Sequence, residues 1–276
     1  MVMSIQTNVS SLNAQRNLSQ TQMRLDSSLS KLSSGYRITK AGDDAAGLGV
    51  SSNLVAQVRS LNQAARNAGD GISVIQTAEG ALNETGNILT RLRELAMQSA
   101  SDGITDTERA YIQSEGTALI NELDRIAQVT EFNGTKLLDG GAATLDFQVG
   151  IRDSANDRIS VTTADATSAT LGVDTASIDL STKAGAQAAL TSVDSAINDV
   201  SDIRATFGAV GNRLQSVVAT IQNASENLSA ANSRIRDVDV AEETSQMSRA
   251  QVLMQAGVSV LAQANQMPQV ALKLLG

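Results

Sequence analysis

Between residues 190 and 235 a large apolar residue recurs at every seventh position: Val193, Val200, Phe207, Leu214, Ile221, Leu228 and Ile235. A weaker seam of Leu190, Ile197 and Val218 interleaves with it. Steps of three and four place both seams on one stripe of a helix, and a repeat held this long means that the stripe faces another helix. At ~1.5 Å per residue such a rod is on the order of 65 Å long, too long to cover its own stripe. A partner of similar length runs from about Leu48 to Ala100, with Leu54, Leu61, Ala68, Ile75, Leu82, Leu89 and Ala96 at sevens and Val58, Ala65 and Ile72 between them. Gly69 and Gly71 lie inside it and cost ~1 kcal/mol each against alanine. The seam stays in phase across them, so one helix is predicted.

The two ends of the chain follow the same helical spacing with a different polar face. In residues 5–33 the apolar positions are Ile5, Val9, Leu12, Leu18, Leu25, Leu29 and Leu32, and only Arg16, Arg24, Asp26 and Lys31 are charged. The last helix carries Val240, Met247, Met254 and Leu261 at sevens, then Val258, Met267, Val270 and Leu274, and from residue 250 to 276 Lys273 is the only charged side chain. A solvated helix ordinarily carries more charge. Either these ends are enclosed by other molecules in an assembly, along seams that include Leu25, Leu29, Leu32, Met254, Leu261 and Leu274, or they are weakly helical, frayed tails.

Residues 34–47, with Gly35, Gly42 and Gly47, interrupt the period and read as a linker. Asp43 and Asp44 suit the cap of the following helix better than a metal or acid–base pair, because adjacent side chains point apart. A shorter helix is predicted from Thr107 to about Val129, capped by Thr105 or Asp106, with Ile112, Leu119, Leu123 and Ile126 on one face. Asn133-Gly134 signals a turn. Leu145, Phe147, Val149 and Ile151 then alternate with period two, the chain turns at 153–157, and Ile159 and Val161 return, which predicts a β-hairpin. Residues 162–183 are rich in Thr, Ser, Ala and Asp and read as an exposed, loosely structured excursion. After the second rod, Asp237, Asp239, Glu242 and Glu243 lack the glycine and spacing of a calcium loop and suit helix capping.

The pattern is pseudo-palindromic and predicts a mainly α fold: a long antiparallel coiled-coil helical bundle with a small β-hairpin region, its domains discontinuous and built from both chain ends. The divisions fall at 1–46 and 237–276 for the terminal helices, 47–130 and 184–236 for the rods, and 131–183 for the hairpin and excursion.

Composition narrows the function classes. Aromatic residues make up 2% of the chain and there is one proline, so the core is aliphatic and long helices are permitted. The net charge of −8 with no basic cluster argues against nucleic acid as a partner. His and Cys are both absent, which removes disulfides, cysteine nucleophiles, histidine bases and the usual zinc sites together. No basic, apolar secretory leader opens the sequence, and no stretch approaches the ~20 apolar residues of a membrane span. No cofactor, metal site or catalytic pair stands out.

Seven stretches carry a resemblance: 5–12 (Ile-Gln-Thr-Asn-Val-Ser-Ser-Leu), 32–38 (Leu-Ser-Ser-Gly-Tyr-Arg-Ile), 41–48 (Ala-Gly-Asp-Asp-Ala-Ala-Gly-Leu), 92–99 (Leu-Arg-Glu-Leu-Ala-Met-Gln-Ser), 132–138 (Phe-Asn-Gly-Thr-Lys-Leu-Leu), 236–243 (Arg-Asp-Val-Asp-Val-Ala-Glu-Glu) and 266–275 (Gln-Met-Pro-Gln-Val-Ala-Leu-Lys-Leu-Leu). In this order they resemble bacterial flagellin, in a short form without the outer domains that many flagellins insert. The resemblance implies a homopolymer, the flagellar filament, whose terminal helices form the inner tube and order on assembly. It further implies secretion, unfolded, through the flagellar type III route, with an export chaperone, a cap and hook-junction proteins as partners. In flagellins that Toll-like receptor 5 detects, the positions matching the recognised surface are Arg91, Leu95 and Glu115, which would otherwise make subunit contacts or be solvated rod residues. The alternatives are a hook–filament junction protein, which shares similar ends, and a non-flagellar coiled-coil interaction protein.

Overall fold

The structure, a computed structural model, describes residues 7–141 and 143–275, with side chains as far as residue 266. Five helices dominate: α1 Val9–Ser34, α2 Ala45–Ser99, α3 Asp106–Val129, α4 Lys183–Arg236 and α5 Val240–Leu275. Four short strands, β1 Glu131–Phe132, β2 Thr135–Lys136, β3 Thr144–Gln148 and β4 Arg158–Thr162, form two antiparallel hairpins. The chain makes two compact units, one of residues 1–56 and 226–276 and the other of residues 57–225.

The unit of residues 57–225 is built on the two rods. Arg93 Nε meets Asp194 Oδ1 at 2.5 Å, Arg204 meets Glu79 at 4.0 Å, and Ser225 Oγ donates to Asn62 Oδ1 at 3.3 Å. The order of these pairs makes α2 and α4 antiparallel. Leu61, Ala68, Ile75, Leu82, Leu89 and Ala96 are buried along α2, and Val193, Val200, Phe207, Leu214 and Ile221 along α4. The interleaved seam differs from the expectation. Val58, Ala65 and Ile72 are half-buried, as are Leu190, Ile197 and Val218. On α2 the buried partners from Leu61 onward lie three residues after the seventh positions instead, at Ala64, Gly71, Ala78, Thr85, Leu92 and Ser99; on α4 Ala189 and Ala196 follow the same spacing, while Ile203, Val210 and Val217 are half-buried. Small side chains face the partner and let the helices close, while bulkier neighbours flank the contact. Gly71 shows how close this is. A Cβ there would stand 3.1 Å from Leu214 Cδ1 and 3.2 Å from the Phe147 ring, whereas Gly69 has open space.

Helix α3 starts with a capping box, in which Thr105 and Glu108 satisfy each other's backbone N–H groups. Arg109 is buried beside it and donates to the carbonyls of Ser99 (3.0 Å) and Ser101 (2.6 Å), oxygens that the end of α2 leaves without helical donors. Ile112, Gly116, Ile120, Leu123 and Ala127 form its buried face, and Leu119 and Ile126 are half-buried. Asn133 and Gly134 both take positive φ, 49° and 78°, at the tight turn between β1 and β2. In the second hairpin Leu145 pairs with Val161 and Phe147 with Ile159, and Ile151 lies beyond its strand and is exposed.

The segment 162–183 is not an exposed excursion. Ala166, Leu171, Val173, Ile178 and Leu180 are all buried in it. It is irregular because its backbone is satisfied by side chains and by other loops, not by a ladder. Ala164 and Ala166 donate to Leu137 and Leu138, Ser168 donates through both N–H and Oγ to Asp124 of α3 at 2.8 Å, and the buried Ser99 hydroxyl donates to the Leu180 carbonyl at 2.6 Å. Asp165, Asp174 and Asp179 each accept a hydrogen bond from a backbone N–H two residues on.

These three carboxylates are held below the ordinary aspartate value. Burial pushes Asp165 up, but the hydroxyls of Thr170 and Thr167 outweigh it; Asp174 is held down by Ser177, and Asp179 by Ser181. A depressed carboxylate stabilises the fold above its unfolded value and stops doing so as the pH falls through the folded one. The expected outcome is that the amide shifts of Thr167, Ser177 and Ser181 move together only below the ordinary value of 3.8, with loss of order in this segment. Titration at or above 3.8 would contradict the turns described.

Candidate assembly surface

The unit formed by the chain ends is held by α1 and α5, which pack antiparallel. Asn8 Nδ2 donates to the Ala264 carbonyl and Ser11 Oγ to Asn265 Oδ1, both at 2.8 Å, and at the other end Lys31 Nζ stands 3.8 Å from Glu243 Oε2. Leu25, Ser28, Glu243, Ala250 and Ala264 are buried between them. A Cβ on Gly257 would lie 3.2 Å from Leu18 Cδ1, so the helices meet closely there. Asp239 accepts from the N–H groups of Ala241 and Glu242 and caps α5, as Asp44 caps α2 through Gly47 N–H.

The glycine linker is tied down. Gly35 ends α1 at φ 74°, Arg37 N–H donates to the Arg236 carbonyl at 2.7 Å, Val238 N–H donates to the Gly35 carbonyl, and the Arg236 guanidinium lies 4.2 Å above the Tyr36 ring. Ile38 is buried beneath it.

Of the terminal seam residues, Leu25 is buried and Leu32, Met254 and Leu261 are half-buried, all within this one chain. Leu29 is exposed, and Ile5 and the side chain of Leu274 lie outside the described residues. The exposed aliphatic surface therefore combines apolar positions the helical spacing picks out, Val9, Leu12, Leu29 and Val258, with Val252, Leu253 and Val260, which it does not. It comprises Val9, Leu12 and Leu29 on α1 and Val252, Leu253, Val258 and Val260 on α5, each between 49 and 65% exposed. Leu253 and Val260 sit seven apart on their own stripe, a signal hidden beside the stronger Met254–Leu261 row. Two helices that bury one narrow seam and expose this many large side chains present a surface for protein contact.

In the other unit, the predicted receptor residues separate. Arg91 joins α2 to α3, its Nη2 and Nε donating to Glu115 Oε1 at 2.8 and 3.1 Å, and its Nη1 to Glu94 at 3.0 Å. Both Arg91 and Glu115 are open to solvent, but Leu95 is 1% exposed and belongs to the core, so its side chain offers no surface. Among the coiled-coil positions, Leu54 and Leu228 are half-buried and belong to the terminal unit, while Leu61, Ile75, Leu82, Leu89, Val193, Val200, Phe207, Leu214 and Ile221 are buried. Among the described residues no acidic cluster could hold a metal ion and no helix is long and apolar enough to cross a membrane.

A long-helix fold with exposed large aliphatic residues gathered on its two terminal helices fits the class of self-assembling structural subunits. Residues 5–143 match the bacterial flagellin N-terminal helical region, and residues 190–275 the bacterial flagellin C-terminal helical region. A flagellin of Halalkalibacterium halodurans is 43% identical over 99% of this chain and 100% of its own length. The flagellar filament 33 kDa core protein of Treponema phagedenis is 42% identical over the same shares. The crystal structure of Bacillus cereus flagellin superposes with a TM-score of 0.51 at 32% identity, covering 60% of this chain and 94% of that one. The chain belongs to the bacterial flagellin family.

Proposed function

We propose that the chain is the structural subunit of a flagellar filament, polymerising with copies of itself. The observation that carries this reading is the aliphatic surface of the α1–α5 pair, which is exposed among the described residues and open to neighbouring molecules. Burial at ~25 cal/mol per Å² favours association, and ordering of the ends on contact makes that association switch-like. The test is electron microscopy of the purified chain after heat depolymerisation and cooling. Filaments are expected above a critical concentration; a monodisperse monomer at every concentration would sink the reading.

Finer features extend the same reading. The terminal helices order on assembly, and the subunit is secreted unfolded, escorted by an export chaperone on α5, to an extracellular filament between hook-junction and cap proteins. The absence of cysteine suits a chain that passes unfolded between compartments. The chain has a structural role and no catalytic one. Arg91 and Glu115 form the surface that Toll-like receptor 5 would read, with Leu95 supporting it from the core. Arg91→Ala is expected to lower receptor signalling by monomers about tenfold, as for the loss of a charge-assisted contact, without changing the melting temperature. Unchanged signalling would remove Arg91 from that surface.

A further inference from the structure

Between α1 and α5, inside the terminal unit, lies a cavity of about 290 Å³ whose lining includes Arg24, Lys31, Arg249 and the single carboxylate of Glu243. Glu243 is buried and answers Lys31 at 3.8 Å. Arg24 and Arg249 are exposed, and among the described residues neither guanidinium makes a hydrogen bond or ion pair. The cavity therefore presents two uncompensated guanidinium groups in a chain of net charge −8, with the hydroxyl-bearing Ser28 in its wall. Guanidinium groups present forked donors that match the two oxygens of a carboxylate or phosphate.

We propose that this cavity is an oxyanion site, filled in the filament by a carboxylate side chain of a second copy. The argument for a second copy is continuity: Leu253, part of the exposed aliphatic surface, also lines the cavity. A neighbour that covers that surface is brought to its mouth. Acidic copies repel one another, and pairing one acid with these guanidinium groups at the point of contact offsets part of that repulsion and fixes register. The proposal rests on the filament reading.

The experiment compares the wild-type chain with Arg24→Gln/Arg249→Gln in chloride buffer at fixed ionic strength, with and without inorganic phosphate, and reads the critical concentration for assembly. The expected result is an increase of about tenfold in the double variant, the size of one lost charge-assisted contact, with phosphate raising the wild-type value by competition. If instead phosphate lowers the wild-type value and leaves the variant unchanged, the oxyanion site stands and its occupant is the free ion. Arg24→Lys/Arg249→Lys, which keeps the charge but loses the fork, is expected to recover only part of the loss. Lys40→Gln/Arg59→Gln, which removes two positive charges elsewhere, is expected to match wild type. The proposal is overturned if the glutamine variant assembles as the wild type does in both media, or if the Lys40/Arg59 control falls as far as it does. Failure of the wild-type chain to assemble at all overturns the filament reading and this proposal together.

Discussion

A chain cut to residues 45–236, lacking α1 and α5, is expected to melt cooperatively and to form no filament at any concentration. Its core is intact: the rods, α3 and the hairpins of residues 57–225 bury Leu82, Leu89, Leu92, Leu123, Leu138 and Val193 without help from either terminal helix. What the cut removes is the paired helices whose Val9, Leu12, Leu29, Val252, Leu253, Val258 and Val260 face solvent. Sedimentation velocity, with electron microscopy of the same samples, measures the outcome. Filaments of ordinary diameter from the shortened chain would show that assembly does not run through these helices.

Leu180→Ala is expected to cost about 2–5 kcal/mol, the range for deleting a fully buried leucine. Leu180 is 0% exposed although it lies in the least regular stretch of the chain. Its N–H donates to Gln113 Oε1 and its carbonyl accepts from Ser99 Oγ, so the side chain is fixed from both sides of its own backbone. A Cβ on Gly116 would stand 2.9 Å from Leu180 Cδ1, which leaves the methyl little room to be replaced by a neighbour. Thr175→Ala, at an exposed site in the same stretch, is expected to stay within about 0.5 kcal/mol. Urea unfolding of both variants decides the matter. Equal midpoints would mean that the segment lies on the surface after all.

The seven-residue rows, both rods, the short helix and the hairpin were legible because large aliphatic residues recur at a fixed period. Their partners were not. Ala64, Gly71, Ala78, Thr85 and Ser99 are buried because they are small, and a search for large apolar residues passes over them for Val58, Ala65 and Ile72. The segment 162–183 was misread for a related reason. Its few apolar residues follow no period, and while its Asp-centred turns are local, the Ser168–Asp124 contact that ties it to α3 depends on a distant residue. The assembly surface was half legible. Low charge on the terminal helices pointed to contact with other molecules, and Val9, Leu12, Leu29 and Val258, read as apolar positions, do face solvent; Leu25 is buried and Leu18, Leu32, Met254 and Leu261 are half-buried within the chain, while Val252, Leu253 and Val260 were passed over. Leu95 matched a known surface in sequence and lies inside this one, since matching letters carry no burial.

The contact of Asn8 with Ala264 joins residues 256 positions apart. α1 precedes α5 in the chain, with both rods between them, so α1 has no partner helix until α5 has been made. Closure over so many residues is slow for entropic reasons. The α1–α5 pair is thus the contact that needs the longest closure of chain, and it forms only once the rods between its two helices have been made.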